Sequence, residues 1–201
     1  EINRNRLIAL SSAIVLEAEP GSTIVTDSVT SDGLKIFIEE LGGRHHRFKR
    51  GYKNVIDEAQ RLCAAGQNAP LAIETSGHAA LKENYFLDDG AYLVTKIIIR
   101  LAELRAAGKD LESLIGTLQT PAEEKEIRFA IAEPDFKAYG NKVLNALEQF
   151  ATQNKDWKIA DDNYEGLRIS TKQGFFLLRL SVHDPIMPFN LESNTPGGIE
   201  I

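Results

Sequence analysis

The spacing of apolar residues changes along the chain, and the changes outline its elements. Residues 7–16, Leu-Ile-Ala-Leu-Ser-Ser-Ala-Ile-Val-Leu, are apolar nearly all round and rich in helix formers, which predicts a buried helix stopped by Pro20-Gly21. Ile24 and Val25, flanked by Thr23 and Thr26, make a short β-branched strand. Thr30-Ser31-Asp32 then caps a helix whose apolar positions are Leu34, Phe37, Ile38 and Leu41, and Gly42-Gly43 ends it. Residues 44–48 form a second strand candidate, and Tyr52, Val55, Ile56, Ala59 and Leu62 recur at the spacing of one helix face before Gly66. Leu71, Ala72, Ile73 and Glu74 make a third strand. Asp88-Asp89 opens a long helix through Tyr92, Leu93, Ile97, Ile98, Leu101 and Leu104 that closes at Ala107-Gly108, with a shorter helix over residues 110–115.

Around residues 117–121 the order changes. A strand at 126–132 and a helix after Asp135, carrying Val143, Leu144, Leu147 and Phe150, are followed by strands at 157–159, 166–170, 175–181 and 186–191 with no helix between them. Asp162-Asn163 and Gln173-Gly174 supply the turns. The expectation is therefore an α/β layered domain, a mixed sheet flanked by helices, over residues 1–119, followed by a smaller α+β domain with an antiparallel sheet over residues 120–201.

Composition adds few constraints. The 201 residues suffice for two cores, and 43% hydrophobic with 26% charged residues is ordinary for a globular protein. The single cysteine, Cys63, cannot form an internal disulfide and reads as helix packing, so a reducing cytoplasm is expected. No apolar run is long enough for a membrane span, and the N-terminus lacks the order of a signal peptide. A net charge of −6 argues against bulk nucleic-acid binding. Arg44, Arg47, Lys49, Arg50 and Lys53 form a local basic patch, which reads as a surface edge or anion-facing rim rather than a polynucleotide groove.

The densest chemistry is Glu74-Thr75-Ser76-Gly77-His78 at the end of an apolar strand, followed by Lys82-Glu83-Asn84-Tyr85-Phe86 and Asp88-Asp89-Gly90. A carboxylate accepts hydrogen bonds from two neighbouring sugar hydroxyls at once, so Glu74 with Ser76 suits hexose recognition, and Gly77 permits close approach. Gly-x-Ser-x-Gly is absent, and a histidine two residues from Ser76 lacks triad geometry, so Ser76 is not read as a nucleophile. Lys49-Arg50-Gly51-Tyr52-Lys53 lies at a strand-to-helix turn where amides, helix dipole and lysines favour an anion. The stretch from Thr26 to Asp32 reads first as a capped helix start and second as the lining of a polar cleft. In the second domain Arg179, Ser181 and His183 leave a strand together at Asp184-Pro185, a trio that suits phosphate. His45 and His46 point to opposite faces of a strand and have no partner at ligand spacing, so no metal is expected.

These stretches resemble the α-D-phosphohexomutases, the phosphoglucomutase/phosphomannomutase family, over essentially all 201 residues. The family's sugar loop runs Gly-Glu-x-Ser-Gly-His and continues Lys-Glu-x-x-Phe-x-x-Asp-Asp-Gly. The resemblance implies that Glu74 and Ser76 bind sugar hydroxyls, that His78 faces the reacting oxygens or phosphate and is the candidate catalytic residue, and that Lys49 belongs to the anion turn. It also implies that the loop holding Arg179, Ser181 and His183 clamps the non-reacting phosphate. Tyr52 stands where the family's Lys-x-Gly-His turn has histidine, the lysine usual between residues 26 and 32 is absent, and Val182 and His183 depart from Arg-x-Ser-Asn-Thr-x-Pro.

The implied reading is the third and fourth domains of a mutase that transfers a phosphoryl group between the 1- and 6-positions of a hexose phosphate through a bisphosphate. The closing helix would be missing after residue 201, and two domains would precede residue 1. Neither the phosphoserine loop nor the Asp-x-Asp-x-Asp-Arg magnesium loop occurs, so this chain alone is expected to be inactive. Mg²⁺ and a hexose 1,6-bisphosphate activator would act in the full-length enzyme, with neither expected on this piece. The partners implied are a hexose phosphate and the missing N-terminal domains, with no nucleic acid and no membrane. Alternatives are a non-catalytic sugar-phosphate-binding or regulatory module, and a nucleic-acid- or protein-binding module using residues 44–53. Glucose and mannose share the hydroxyls that the loop reads, so the sequence does not choose between them.

Overall fold

A computed structural model describes residues 2–200. The chain divides into two units between Gln119 and Thr120. The first runs α1 (Arg4–Ala18), β1 (Thr23–Asp27), α2 (Asp32–Glu40), β2 (Arg44–Phe48), α3 (Tyr52–Ala64), β3 (Leu71–Ile73), β4 (Ala79–Leu81) and α4 (Gly90–Ala106), then a 3₁₀ turn at Leu111–Leu114. The sheet order is β2-β1-β3-β4, with β1 parallel to both neighbours and β4 antiparallel to β3.

Alternation along the central strands splits the core in two. Ile24, Leu71 and Ile73 pack with Ile8, Leu10 and Leu16 of α1 and Leu34, Phe37 and Ile38 of α2, whereas Val25, Ala72 and Ala80 pack with Val55, Ala59 and Leu62 of α3. Burying a side chain the size of Ile or Phe contributes about 1.5–3 kcal/mol, so the sheet is held from both faces. Cys63 packs beside the α3 cluster, its thiol facing the Ala69 carbonyl at 3.6 Å.

Capping follows the expected side chains. The Ser31 hydroxyl accepts from Leu34 N–H at 3.0 Å at the start of α2, and Asp89 accepts from Tyr92 N–H at 3.0 Å at the start of α4. Several details differ from the sequence reading. The third strand ends at Ile73, one residue before Glu74; the helix expected at 110–115 is only the 3₁₀ turn; and β4 was not foreseen. Ile98, expected on the packed face of α4, is 59% exposed, because Val94, Ile98 and Ile99 continue the apolar pattern around the helix.

The second unit runs β5 (Glu123–Ala130), α5 (Phe136–Gln153), β6 (Lys158–Ile159), β7 (Leu167–Ser170), β8 (Gly174–Leu178) and β9 (Ile186–Ser193). Its sheet is antiparallel throughout, in the order β5-β9-β8-β7-β6. The first strand starts and ends earlier than the expected 126–132, and β8 stops at Leu178 rather than reaching 181. Helix α5 packs Leu144, Leu147 and Ala151 against Leu167 and Ile169, and Val143 against Leu178 and Met187. Gly166 has φ of 64°, and a Cβ there would lie 2.1 Å from the Leu178 carbonyl oxygen, so the approach to β8 requires glycine.

Candidate functional site

Parallel pairing places the ends of three strands side by side. Asp27 is level with Phe48, and Thr26 with Ile73, so the segments that follow β1, β2 and β3 emerge at one edge of the sheet. That edge, outside the carboxyl ends of parallel strands, is where α/β sheets form ligand crevices.

Glu74 sits just beyond β3 and is 5% exposed. Its Oε1 accepts the Gly51 backbone N–H at 2.6 Å and its Oε2 accepts the Ser76 hydroxyl at 3.1 Å. Gly51 has φ of 118° at the entry to α3, a conformation that lets its N–H face the carboxylate. The turn between β3 and β4 is closed by Glu74 N–H donating to the His78 carbonyl at 2.9 Å and Gly77 N–H donating to the Glu74 carbonyl at 3.0 Å.

Asp27, the last residue of β1, is fully buried. Its Oδ2 accepts the Thr75 hydroxyl at 2.7 Å and lies 3.9 Å from Arg50 Nε, while Oδ1 is buried without a hydrogen-bond partner. Burial pushes this carboxyl up from 3.8 to about 6; the Thr75 hydrogen bond and the Arg50 charge oppose the rise, and the nearby Glu74 charge adds to it.

His78 is exposed, and its Nδ1 lies 2.7 Å from Asp88 Oδ2. Its ring stacks on Tyr52, with centroids 5.2 Å apart at 28°. Tyr52 was expected on the packed face of α3 and is instead 50% exposed, because it begins the helix beside the turn. Lys49 is exposed and holds its ammonium 5.9 Å from the Phe48 ring centroid.

The segment from Thr26 to Asp32 contains the capped helix start expected of it. Ser31 caps α2, and Arg47, 2% exposed, donates to Thr30 Oγ1, the Ser31 carbonyl and Asp32 Oδ1. The two adjacent histidines diverge: His45 Nε2 meets Thr26 Oγ1 at 2.7 Å, and His46 Nε2 meets Glu58 Oε1 at 2.8 Å. Among the described residues, no group of three or more His, Cys, Asp or Glu side chains could hold a metal ion.

In the second unit, Arg179 follows β8 and its side chain is 8% exposed, not the surface charge that a strand end would suggest. Its Nη1 donates to Glu165 Oε1 at 2.9 Å, and its Nε is buried without a partner. Ser181 lies on the turn between β8 and β9, where its N–H donates to the Ile186 carbonyl at 3.1 Å and its Oγ accepts Asp184 N–H at 3.2 Å. His183 is exposed on the same turn. Sequence reasoning did not pick out Thr75, Asp88 as the partner of His78, or Glu165, and it left Asp27 in a generic polar stretch. The available signal for Asp27 was an acid that ends a short β-branched strand.

Comparison with known proteins agrees with this architecture. The family profile described as phosphoglucomutase/phosphomannomutase, alpha/beta/alpha domain III, matches residues 3–121. A phosphomannomutase/phosphoglucomutase of Pseudomonas syringae pv. tomato is 30% identical over 198 residues, covering 98% of this chain and 39% of that protein. A phosphoglucomutase of Neisseria meningitidis is 27% identical, covering 98% and 40%. The crystal structure of a phosphoglucomutase/phosphomannomutase family protein from Burkholderia thailandensis superposes with a TM-score of 0.74 at 27% identity over 97% of this chain and 38% of its own. The open form of parafusin from Paramecium shares the fold at 15% identity, with a TM-score of 0.66. The chain thus spans about 40% of the length of the curated relatives it matches. Among the described residues, no helix is long and apolar enough to cross a membrane.

Proposed function

Because this chain belongs to the phosphoglucomutase/phosphomannomutase family, we propose that it supplies hexose and phosphate recognition to a phosphohexomutase. The reaction is movement of a phosphoryl group between the 1- and 6-positions of a hexose phosphate by way of a bisphosphate. The observation that carries the proposal is the Glu74 carboxylate, buried at the sheet's carboxyl edge and fixed between the Gly51 amide and the Ser76 hydroxyl. Each carboxylate oxygen has about two acceptor positions and uses one, so both oxygens can still receive a sugar hydroxyl. Two vicinal hydroxyls then bind at charge-assisted strength, and a ring with one hydroxyl inverted leaves an acceptor unmatched.

His78 stands at the rim of the same turn. With its proton on Nδ1 and donated to Asp88, Nε2 is left as the acceptor for a sugar hydroxyl proton. Lys49 contributes charge to the neighbouring turn. In the second unit Arg179, with an unused buried Nε, together with Ser181 and His183, offers the donors for the phosphate that does not react. In this reading the nucleophile and the metal loop belong to parts of the enzyme outside these 201 residues, and the chain alone does not turn over substrate.

Calorimetric titration with glucose 1,6-bisphosphate at fixed salt tests the proposal. Binding to the parent should weaken about 10- to 100-fold in Glu74→Ala, as expected for losing about 1.5–3 kcal/mol of charge-assisted bonding, and comparably in Arg179→Ala. Unchanged affinity in Glu74→Ala would remove Glu74 from the site. Interconversion of glucose 1-phosphate and glucose 6-phosphate by the purified chain would refute its dependence on absent groups.

A further inference from the structure

Asp27 is used by none of the steps above, yet it touches both loops of the site. Its Oδ2 holds the Thr75 hydroxyl, and Thr75 lies between Glu74 and Ser76 in the hexose turn. The same oxygen faces Arg50 Nε at 3.9 Å, and Arg50 precedes the Gly51 amide that grips Glu74. The charged groups facing this carboxyl are therefore Arg50 from the turn after β2 and Glu74 from the end of β3. Elsewhere on β2, Arg47 is engaged with Thr30, Ser31 and Asp32, and His45 with Thr26. The second oxygen of Asp27 is buried and makes no hydrogen bond. A carboxylate in such a place leaves one oxygen neither solvated nor paired, and adding a proton there removes the unmet charge.

We infer that Asp27 is a positioning residue that couples the two loops through a proton: it takes up a proton from solvent when an anionic sugar ester engages the basic turn. This rests on the reading of the edge as a hexose-phosphate site. The ligand's negative charge draws on Arg50, the cation that favours ionised Asp27, and adds a like charge nearby. Both effects favour neutral Asp27. Linkage makes the coupling mutual, so protonation of Asp27 tightens binding of the anion by the same factor that the anion tightens the proton. Neutral Asp27 still accepts from Thr75 on one oxygen, so the hexose turn keeps its anchor in both states. The rise of this carboxyl to about 6 places the exchange near neutrality.

The test uses glucose 6-sulfate, a sugar monoester whose own charge stays constant between pH 5 and 8. Titration at pH 6 in two buffers of different ionisation heat reads proton uptake. The parent should take up a fraction of a proton, at most about half because Asp27 is near its midpoint there, falling toward zero by pH 8. Asp27→Asn should bind with that uptake lost and with a flatter dependence of affinity on pH. A measurement on the parent guards against misfolding of the variant: the infrared carboxylic-acid carbonyl band at pH 6.5 should grow on adding the sulfate ester. Binding without proton uptake, or without growth of that band, overturns the inference and leaves the site reading intact. Absence of binding at pH 6 overturns the site reading and the inference with it.

Discussion

Replacing Asp27 by asparagine should make the first unit more stable at neutral pH, contrary to the usual effect of removing a hydrogen-bonded acid. Asparagine keeps an oxygen for the Thr75 hydroxyl and cannot carry the charge that burial penalises. A carboxyl raised from 3.8 in the unfolded chain to about 6 in the folded one corresponds to about 3 kcal/mol at 1.36 kcal/mol per pKa unit. The sign follows from proton binding. The folded state holds the proton more tightly, so this contribution is fully present below about pH 4 and is lost as pH rises through about 6. The advantage of Asp27→Asn over the parent should therefore grow by about 2–3 kcal/mol between pH 4 and 7 and then level off. Trp157, the only tryptophan, lies in the second unit beside Phe150 and Phe176, so its fluorescence during urea unfolding serves as an internal control. Hydrogen exchange of β1 and β3 amides reports on the first unit. An advantage that stays flat or shrinks with pH, or one that appears equally in the Trp157 signal, would refute the assignment of a strained carboxyl at Asp27.

Two further outcomes follow from the geometry. Gly51→Ala forces φ of 118° on a residue with a Cβ that would lie 2.9 Å from Asn54 Nδ2. It should lower the stability of the first unit by about 1–3 kcal/mol in thermal unfolding and weaken hexose-phosphate binding, since the Gly51 amide can no longer hold Glu74. In the second unit, Arg179→Met removes the nearly buried ion pair with Glu165 and should lower the Trp157-monitored midpoint by an amount equivalent to about 1.5–3 kcal/mol, the worth of a charge-assisted hydrogen bond. The double variant Arg179→Met with Glu165→Leu should recover most of that stability but no phosphate affinity. Recovery of both would show that Arg179 is purely structural.

The fold was legible wherever a local rule was strong. Ser31, Asp89 and Asp135 cap the helices they announce, and alternation on β1 and β3 sends Ile24 and Val25, or Leu71 and Ala72, to opposite faces. It failed where local pattern carries too little information. Ala79-Ala80-Leu81 is too short to show alternation, and its strand exists because β3 offers an open edge. Apolar residues all round α4 hid which side would stay exposed. The turn from Glu74 to His78 could be singled out because its residues are neighbours in sequence. Asp27 could not, because Arg50, Glu74 and Thr75 lie 23 to 48 positions away and meet it only through strand pairing. Arg179 showed the same limit, since its burial against Glu165 depends on how the 160–166 loop returns to β8.

The turn from Glu74 to His78 is fastened at both ends by the hairpin and at its carboxylate by Gly51. Such a segment has lost its conformational freedom during folding, so a docking ligand has little of it left to order. Stiffness of this kind trades adaptability for stereochemical strictness. If the turn binds a hexose as proposed, a sugar inverted at a carbon the turn touches finds acceptors that cannot swing to follow it, whereas inversion at an untouched carbon passes unnoticed. Epimers should thus be tolerated or rejected by position, as a property of the hairpin's rigidity rather than of the number of contacts it makes.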